Sequence, residues 1–209
     1  MSIEELILLI PVLLLSLSIH EFSHGVVSYK LGDPTPKING RLTINPLAHL
    51  DLMGTLVLIV TRRVGWAKPV PIDPRHYKRP RKGMMYVSLA GPGSNFALAL
   101  IFSLIIRFLP RSLIYILSEE LFIIVLNMLF MAVMINIGLG IFNLLPVPPL
   151  DGSKILRGLL PPEFDKFLAP LEGPMGMMLI VILAVSGLLM KILEPIIMFF
   201  SNILLAGVI

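Results

Sequence analysis

The stretch His20-Glu21-Phe22-Ser23-His24, which follows the apolar run Leu6–Ile19, decides both the fold and the chemistry of this chain. In an α-helix, residues four apart project from the same face, so His20 and His24 can share one metal ion. Glu21 lies next to that face, where its carboxylate could take a proton from a water molecule at the metal. Because ionisable groups are costly to keep in lipid, this cluster indicates a functional site.

The composition is that of an integral membrane protein. Of the 209 residues, 56% are hydrophobic and 14% are charged, and the mean hydropathy is +0.90. Soluble domains carry about 25% charged residues. The chain has no cysteine, so a transition-metal site must use imidazole and carboxylate ligands, which suit zinc and do not exclude iron or cobalt.

The hydrophobic pattern predicts an all-α polytopic membrane protein made of a single domain, residues 1–209. Four segments are long enough to cross a hydrocarbon core of about 30 Å, and they are residues 5–29, 84–108, 120–142 and 174–200. The first of them lacks the marks of a cleaved secretory signal and is expected to be retained. The apolar piece Leu50–Thr61 is only about 18 Å long as a helix, so it is predicted to re-enter the membrane or to lie at its interface.

A small β-hairpin is predicted where Asn39-Gly40 separates Lys37-Ile38 from Arg41–Ile44. Asn-Gly favours a two-residue hairpin turn, and the flanking residues suit short strands. Beside the metal-bearing helix, such a hairpin could receive an extended peptide by strand addition. An interfacial turn is the alternative interpretation.

Basic residues are distributed unevenly along the chain. Residues 62–82 hold eight of the seventeen lysines and arginines, and residues 30–82 and 151–173 together hold fourteen. By the positive-inside rule, residues 151–173 and the loop 30–83 are predicted to face the cytoplasm, with both termini outside. Four crossings satisfy that topology.

A hydrolytic zinc site needs a third protein ligand and an open fourth position. The candidate carboxylates on the predicted cytoplasmic side are Asp33, Asp51, Asp73, Asp151, Glu163, Asp165 and Glu172. Asp151 is favoured and Asp51 is its rival, because Asp151 ends a break in which Pro146, Pro148 and Pro149 forbid a continuous helix. Unwound backbone at membrane depth is tolerated only where protein or a watery cavity satisfies it. A helix N-cap is the alternative role for Asp151.

Three separate stretches, His20–His24, Ala90–Asn95 and Asn143–Gly152, together resemble the site-2 protease family, the intramembrane zinc metallopeptidases of peptidase family M50. The resemblance covers residues 5–31, 84–108 and 120–160, in the family's order.

The resemblance implies roles for five residues. His20, His24 and Asp151 would bind one zinc ion per chain, Glu21 would be the catalytic acid–base, and Asn143 would help to position or stabilise the reacting carbonyl. Outside this set, Gly91 and Gly93 are interpreted as close-packing contacts, and Asn95 as an amide that bonds a neighbouring helix or the substrate. His49 is interpreted as interfacial, with a gating role or a role behind the ligands as the alternative.

The resemblance also implies an activity, which is hydrolysis of peptide bonds within or near transmembrane helices of membrane-protein substrates, as in regulated intramembrane proteolysis. The expected partners are such a substrate and the lipid bilayer, with no nucleic acid. The expected location is a prokaryotic cell membrane, with the active site toward the cytoplasm. The alternative is a transporter or metal-sensing protein that uses the same site without hydrolysis. Glu21 separates the two, since a transporter could use it as a fourth ligand and a protease needs it unligated.

Overall fold

The computed structural model describes residues 3–54, 56 and 67–206, and these residues are mostly helical. The α-helices within them are α1 (Ile3–Lys30), α2 (Thr35–Ile38), α3 (Pro46–His49), α4 (Pro80–Phe108), α5 (Glu119–Asn143), α6 (Asp151–Leu159), α7 (Asp165–Leu168), α8 (Pro174–Val185) and α9 (Leu188–Leu204). Short 3-10 turns lie at Pro74–His76, Arg111–Tyr115, Pro162–Phe164 and Ala169–Leu171. The predicted all-α membrane architecture is confirmed.

Three helices of the described part are long and apolar enough to cross a membrane, namely Ile7–Lys30 within α1, then α4 and α5. They pack against one another and α9 packs against α5, around a buried apolar cluster drawn from α4, α5, α9 and the residue after α9. That cluster is Ala99, Ile106, Val133, Ile137, Ile141, Leu189, Leu193 and Leu205. Lipid is as apolar as these side chains, so the bundle is stabilised mainly by close packing and by buried polar contacts.

The fourth predicted span, residues 174–200, is not one continuous helix. Helix α8 ends at Val185 and α9 begins at Leu188, and Gly187 between them has φ 75°, a left-handed conformation that glycine adopts without steric cost. The stretch Pro162–Leu171 and α8 together are long and apolar enough for one more span, but they are bent by 66°. The fourth predicted crossing therefore stays a prediction, because Pro162–Leu171 and α8 form either a broken span or a re-entrant loop.

The predicted β-hairpin at residues 37–44 is wrong. Residues 35–38 form the helical turn α2, and Asn39-Gly40 ends that turn. The Gly40 amide donates to Lys37 O at 3.0 Å and the Arg41 amide donates to Pro36 O at 2.8 Å, with φ 65° at Gly40. This is the Schellman pattern, in which a left-handed glycine closes a helix. The same dipeptide that can turn a hairpin stops a helix here, because Pro34 and Pro36 suit a helix start.

The described residues contain one isolated antiparallel bridge, between Leu50 and Ala67, and no named strand. The predicted re-entrant or interfacial piece Leu50–Thr61 lies largely outside the described residues.

A buried carboxylate fastens the end of α1 to the segment before α4. Asp33 is fully buried, and it accepts hydrogen bonds from Ser28 Oγ at 2.7 Å, from the Thr35 amide at 2.9 Å and from the Asp73 amide at 2.8 Å. Burial opposes its ionisation, but these donors together hold the pKa of Asp33 below its ordinary value. The ionised side chain therefore stabilises this junction.

We expect acid to loosen the junction. A carboxylate with a lowered folded-state pKa stabilises the fold fully above its unfolded pKa of about 3.9, and this is lost as the pH falls through the folded-state value. In detergent micelles, the Tm of the wild type should fall on acidification below about pH 5 more steeply than that of Asp33→Asn, which has no charge to lose. Glu163→Gln, at an exposed carboxylate, should keep the wild-type slope. Equal slopes for Asp33→Asn and the wild type would contradict the assignment.

Candidate metal centre

Three side chains from two distant parts of the chain meet between α1 and the start of α6. His24 Nε2 lies 3.0 Å from His20 Nε2, and Asp151 Oδ2 lies 3.3 Å from His20 Nε2 and 3.1 Å from His24 Nε2. The three residues are 4%, 9% and 5% exposed in the order His20, His24 and Asp151. The structure thus brings together the three residues that the sequence predicted as ligands.

The geometry fits a zinc ion. Donor atoms about 2.0–2.2 Å from a tetrahedral zinc lie about 3.3–3.6 Å from one another. The three observed separations, 3.0–3.3 Å, lie at or a few tenths of an ångström below that range. The opposite ring nitrogens face oxygen acceptors, since His24 Nδ1 is 2.7 Å from Val87 O and His20 Nδ1 is 2.5 Å from Asn95 Oδ1. With hydrogen on each Nδ1, both Nε2 lone pairs point at the carboxylate and are available to a metal ion that joins the three groups.

Helix α4 supplies one wall of the centre through a glycine. A Cβ atom on Gly91 would lie 2.5 Å from both Nε2 atoms and 2.5 Å from His24 Cε1. Gly93, two residues further on, would meet nothing within 4 Å. Gly91 therefore leaves open the space into which the imidazoles point, which is more than the packing role predicted for it.

The loop between α5 and α6 delivers Asp151 to the histidines. Helix α5 ends at Asn143, and α6 begins at Asp151 with Leu150 as its N-cap, so the alternative N-cap role for Asp151 is not observed. A Cβ atom on Gly152 would overlap the carbonyl oxygens of Leu144 and Leu145. The turn can therefore close over α6 only with glycine at this position, which explains why the loop ends in Asp-Gly.

Glu21 lies beside the centre and outside its ligand set. Its Oε2 accepts a hydrogen bond from the Val70 amide at 2.8 Å. Val70 is 7% exposed and belongs to the non-helical segment Ala67–Ile72. Among the described residues, the metal-ligating cluster consists of the two histidines and Asp151 alone. This is the separation that the hydrolase interpretation predicts for Glu21.

The segment Ala67–Ile72, which contacts Glu21 through Val70, is also bonded to residues between α2 and the end of α3. Arg41 Nη2 donates to Lys68 O at 2.7 Å and to Pro69 O at 2.8 Å, and the Lys68 amide donates to His49 O at 2.9 Å. His49 is itself buried, with Nε2 2.8 Å from Thr43 O. The polar segment before α4 thus lies against α1 at Glu21, with His49 buried inside it.

Asn143, unlike the predicted ligands, bonds a backbone carbonyl of its own helix. Its Nδ2 donates to Leu139 O at 2.9 Å, one turn back along α5. An amide nitrogen carries two hydrogens, so the second one remains for another acceptor. The predicted contact of Asn143 with a reacting carbonyl stays a prediction.

The rival carboxylates are engaged elsewhere. Asp51 Oδ1 accepts from the Gly54 amide at 2.8 Å. Four others have partners away from the two histidines: Asp33 with the donors named above, Asp73 with Arg75, Asp165 with Arg81, and Glu172 with Arg157. Glu163 is exposed.

Two contacts at the centre were not predicted from the sequence. One is the Val70 amide, which bonds Glu21 through its backbone N–H. Almost any residue type has this group, so the sequence gives no sign of the contact. The other is Asn136 on α5, which bonds Asn95 behind His20 at 2.9 Å. A polar residue in an apolar span was the available signal, but Asn127 on the same helix gives the same signal and is exposed.

Apolar spanning helices around a buried His/His/Asp centre define an integral membrane metalloprotein. The family model "Peptidase family M50" matches residues 110–187. "Putative zinc metalloprotease YwhC" of Bacillus subtilis is 38% identical over 191 residues, covering 90% of this chain and 84% of the relative. "Putative zinc metalloprotease Rip2" of Mycolicibacterium smegmatis is 31% identical, covering 86% and 67%, and "Zinc metalloprotease MJ0392" of Methanocaldococcus jannaschii is 25% identical, covering 85% and 42%. No solved structure matches the chain.

The chain belongs to peptidase family M50, the site-2 protease family, as the sequence motifs predicted, and it is a zinc metalloprotease.

Proposed function

We propose that this protein is an intramembrane endopeptidase that uses one zinc ion per chain to hydrolyse peptide bonds within or near transmembrane helices of membrane-protein substrates. The observation that carries the proposal is the position of the centre. His20 and His24 lie inside the apolar helix α1, and Asp151 reaches them from a loop that directly follows α5, another candidate span. A peptide bond must enter the helical bundle to reach these residues.

His20, His24 and Asp151 would hold the zinc ion. When bound, zinc acts as a Lewis acid that acidifies water and polarises a carbonyl group. Glu21 would accept the proton of the attacking water and later deliver it to the leaving amine. The Val70 amide, by donating to Oε2, keeps the Glu21 carboxylate oriented beside the ligands. Asn143 would donate its second amide hydrogen to the oxyanion that develops on the carbonyl.

The depth of the centre in the bundle follows from where its residues lie along α1 and α4. His20 and His24 lie in the second half of α1, and Gly91 lies in the first half of α4, so the centre is displaced from the middle of the bundle toward the side of the basic segments. We propose that this side is the cytoplasmic face of a prokaryotic cell membrane, because the basic residues concentrate there.

The substrate should have to unwind before it is cut, because a helical amide is shielded by its own backbone hydrogen bonds and neighbouring side chains. We therefore expect a single-pass substrate with a Gly-Pro pair in its membrane segment to be cleaved at least about tenfold faster than the same substrate with Leu-Leu there, since proline removes a backbone bond and costs a helix about 3 kcal/mol. The measurement is cleavage in reconstituted vesicles, with the cut mapped by mass spectrometry.

The same experiment tests the proposal as a whole. A matched substrate with the Gly-Pro pair in its water-soluble tail is the control. It should be cleaved no faster than the substrate with Leu-Leu. Cuts that fall only in soluble tails, or equal rates for the helical and the broken membrane segment, would contradict intramembrane cleavage.

A further inference from the structure

The two histidines of the centre differ in what fixes the position of their ring proton. His24 Nδ1 faces the backbone carbonyl of Val87 at 2.7 Å. A carbonyl can only accept, so His24 must carry its proton on Nδ1 and present Nε2 to the metal. His20 Nδ1 faces the side-chain amide of Asn95 at 2.5 Å. An amide accepts through one end and donates through the other, so the state of His20 depends on how Asn95 is turned.

Asn136 on α5 decides how Asn95 is turned. Its Nδ2 end lies 2.8 Å from Ala132 O, and two carbonyl oxygens would repel at that distance, so the NH₂ group of Asn136 must face Ala132. Its Oδ1 then faces Asn95, whose Nδ2 donates to it at 2.9 Å. This leaves Asn95 Oδ1 for His20 Nδ1.

The rest of the hydrogen-bond chain has the same direction. Asn136 Nδ2 also lies 2.8 Å from Ser16 Oγ, whose hydroxyl donates to Val12 O at 2.8 Å and so accepts from the amide. Asn95 Nδ2 is 3.5 Å from Ser16 O, a long contact that favours the same orientation only weakly. The chain thus begins at backbone carbonyls of α5 and α1 and ends at the metal ligand.

Water cannot take over these contacts. Ser16, Asn95 and Asn136 are each 0% exposed, and they join α1, α4 and α5 behind His20. A buried amide without partners is costly, and more so where lipid surrounds the bundle. If Asn136 lost its amide, Asn95 would be free to turn its NH₂ group toward His20 and so stabilise the ring tautomer with hydrogen on Nε2. In that tautomer Nε2, the atom that faces the centre, has no lone pair for a metal ion.

We propose that Asn136 is a positioning residue for the metal centre, which acts through Asn95 to keep the His20 proton on Nδ1 and the Nε2 lone pair available to the zinc ion. The proposal rests on the metal centre assigned above. Its tests measure ring tautomer and zinc affinity, so a failure of intramembrane cleavage would leave them unaffected.

The first test needs no substitution. In zinc-depleted wild-type protein labelled with ¹⁵N-histidine, at a pH where the rings are neutral, the His20 ring should show its proton on Nδ1. A His20 ring with its proton on Nε2 would overturn the proposal, whatever the variants do.

The second test compares two asparagines of one helix. Asn136→Leu should weaken zinc binding, measured by competition with a chelator, by about 10–100-fold, the usual effect of losing a group that orients a ligating histidine. It should also move His20 toward the Nε2–H tautomer. Asn127→Leu makes the same change at an exposed position and should bind zinc like the wild type. An Asn136→Leu protein that binds zinc as tightly as the wild type would overturn the proposal.

The third test separates orientation from packing. A carboxylate at position 95 can only accept from His20 Nδ1, so Asn95→Asp should remove the need for Asn136. The double variant Asn95→Asp/Asn136→Leu is therefore expected to recover at least about tenfold of the lost zinc affinity. A double variant as weak as Asn136→Leu alone would mean that Asn136 only fills space, and would overturn the proposal.

Discussion

Glu21→Gln is expected to lower the rate of proteolysis by about 10²–10⁴-fold, the range in which a general acid–base group contributes, and to leave about one zinc ion bound per chain. The amide has the size of the carboxylate and can still accept from the Val70 amide through its oxygen, so the local structure should persist. It cannot accept the proton of the attacking water. The loss should therefore appear in kcat, with KM little changed.

The zinc content decides between a protease and a metal-binding protein without hydrolysis. In the structure Glu21 stands apart from the cluster of His20, His24 and Asp151 and is bonded to Val70 instead. A protein that used Glu21 as a fourth ligand would lose zinc together with activity in Glu21→Gln. Glu163→Gln, at an exposed carboxylate, is the matched control and should keep both. A Glu21→Gln protein that retained a tenth or more of the activity would contradict the acid–base role.

The sequence predicted the centre better than the elements around it. The spacing of His20 and His24 follows from helix geometry alone, and the Pro-rich break before Asp151 is a local signal of a non-helical loop. Both are properties of short stretches. The meeting of the two stretches came from the family resemblance, because no local rule brings residue 151 to residue 20.

The errors arose where one local signal serves two structures. Asn39-Gly40 supplies a left-handed residue, which a hairpin turn and a helix end both use. The structure uses it for the helix end after α2. In the last apolar stretch, residues 174–200, hydropathy indicated one span. The apolar residues on either side of Ser186-Gly187 kept the average hydropathy high, so the break there was not predicted. The left-handed φ of Gly187 separates α8 from α9.

Of the contacts behind the ligands, the sequence indicated only that Asn95 bonds a neighbouring helix or the substrate, and Asn95 does contact His20 on α1. The part played by Asn136 could not be predicted, because it depends on which helix face points inward. Asn127 and Asn136 look alike in the sequence of α5. Nine residues amount to two and a half turns, so the two side chains lie on opposite faces of the helix. One is exposed and the other is fully buried against Asn95 and Ser16.

The second large effect is expected from a single methyl group on α4. Gly91→Ala would place a Cβ atom 2.5 Å from the Nε2 atoms of His20 and His24. Ordinary contacts of such an atom begin near 3.4 Å, so the rings must move by most of an ångström. They are held from behind by Asn95 and Val87, and a shift of that size breaks the donor geometry that zinc requires. Zinc affinity should fall by at least about 100-fold, with activity falling alongside it.

The helix itself should tolerate the change, which makes the result interpretable. Alanine is favoured over glycine in a helix interior by about 1 kcal/mol, so α4 should be no less stable in Gly91→Ala. Gly93→Ala makes the same substitution two residues away, where a Cβ atom meets nothing within 4 Å, and it should bind zinc and cleave substrate like the wild type. Added zinc raises the Tm only of a protein that binds it in the folded state. We therefore expect zinc to raise the Tm of the wild type and of Gly93→Ala but not that of Gly91→Ala. Equal zinc-dependent shifts for the two alanine variants would show that α4 does not form the wall of the centre.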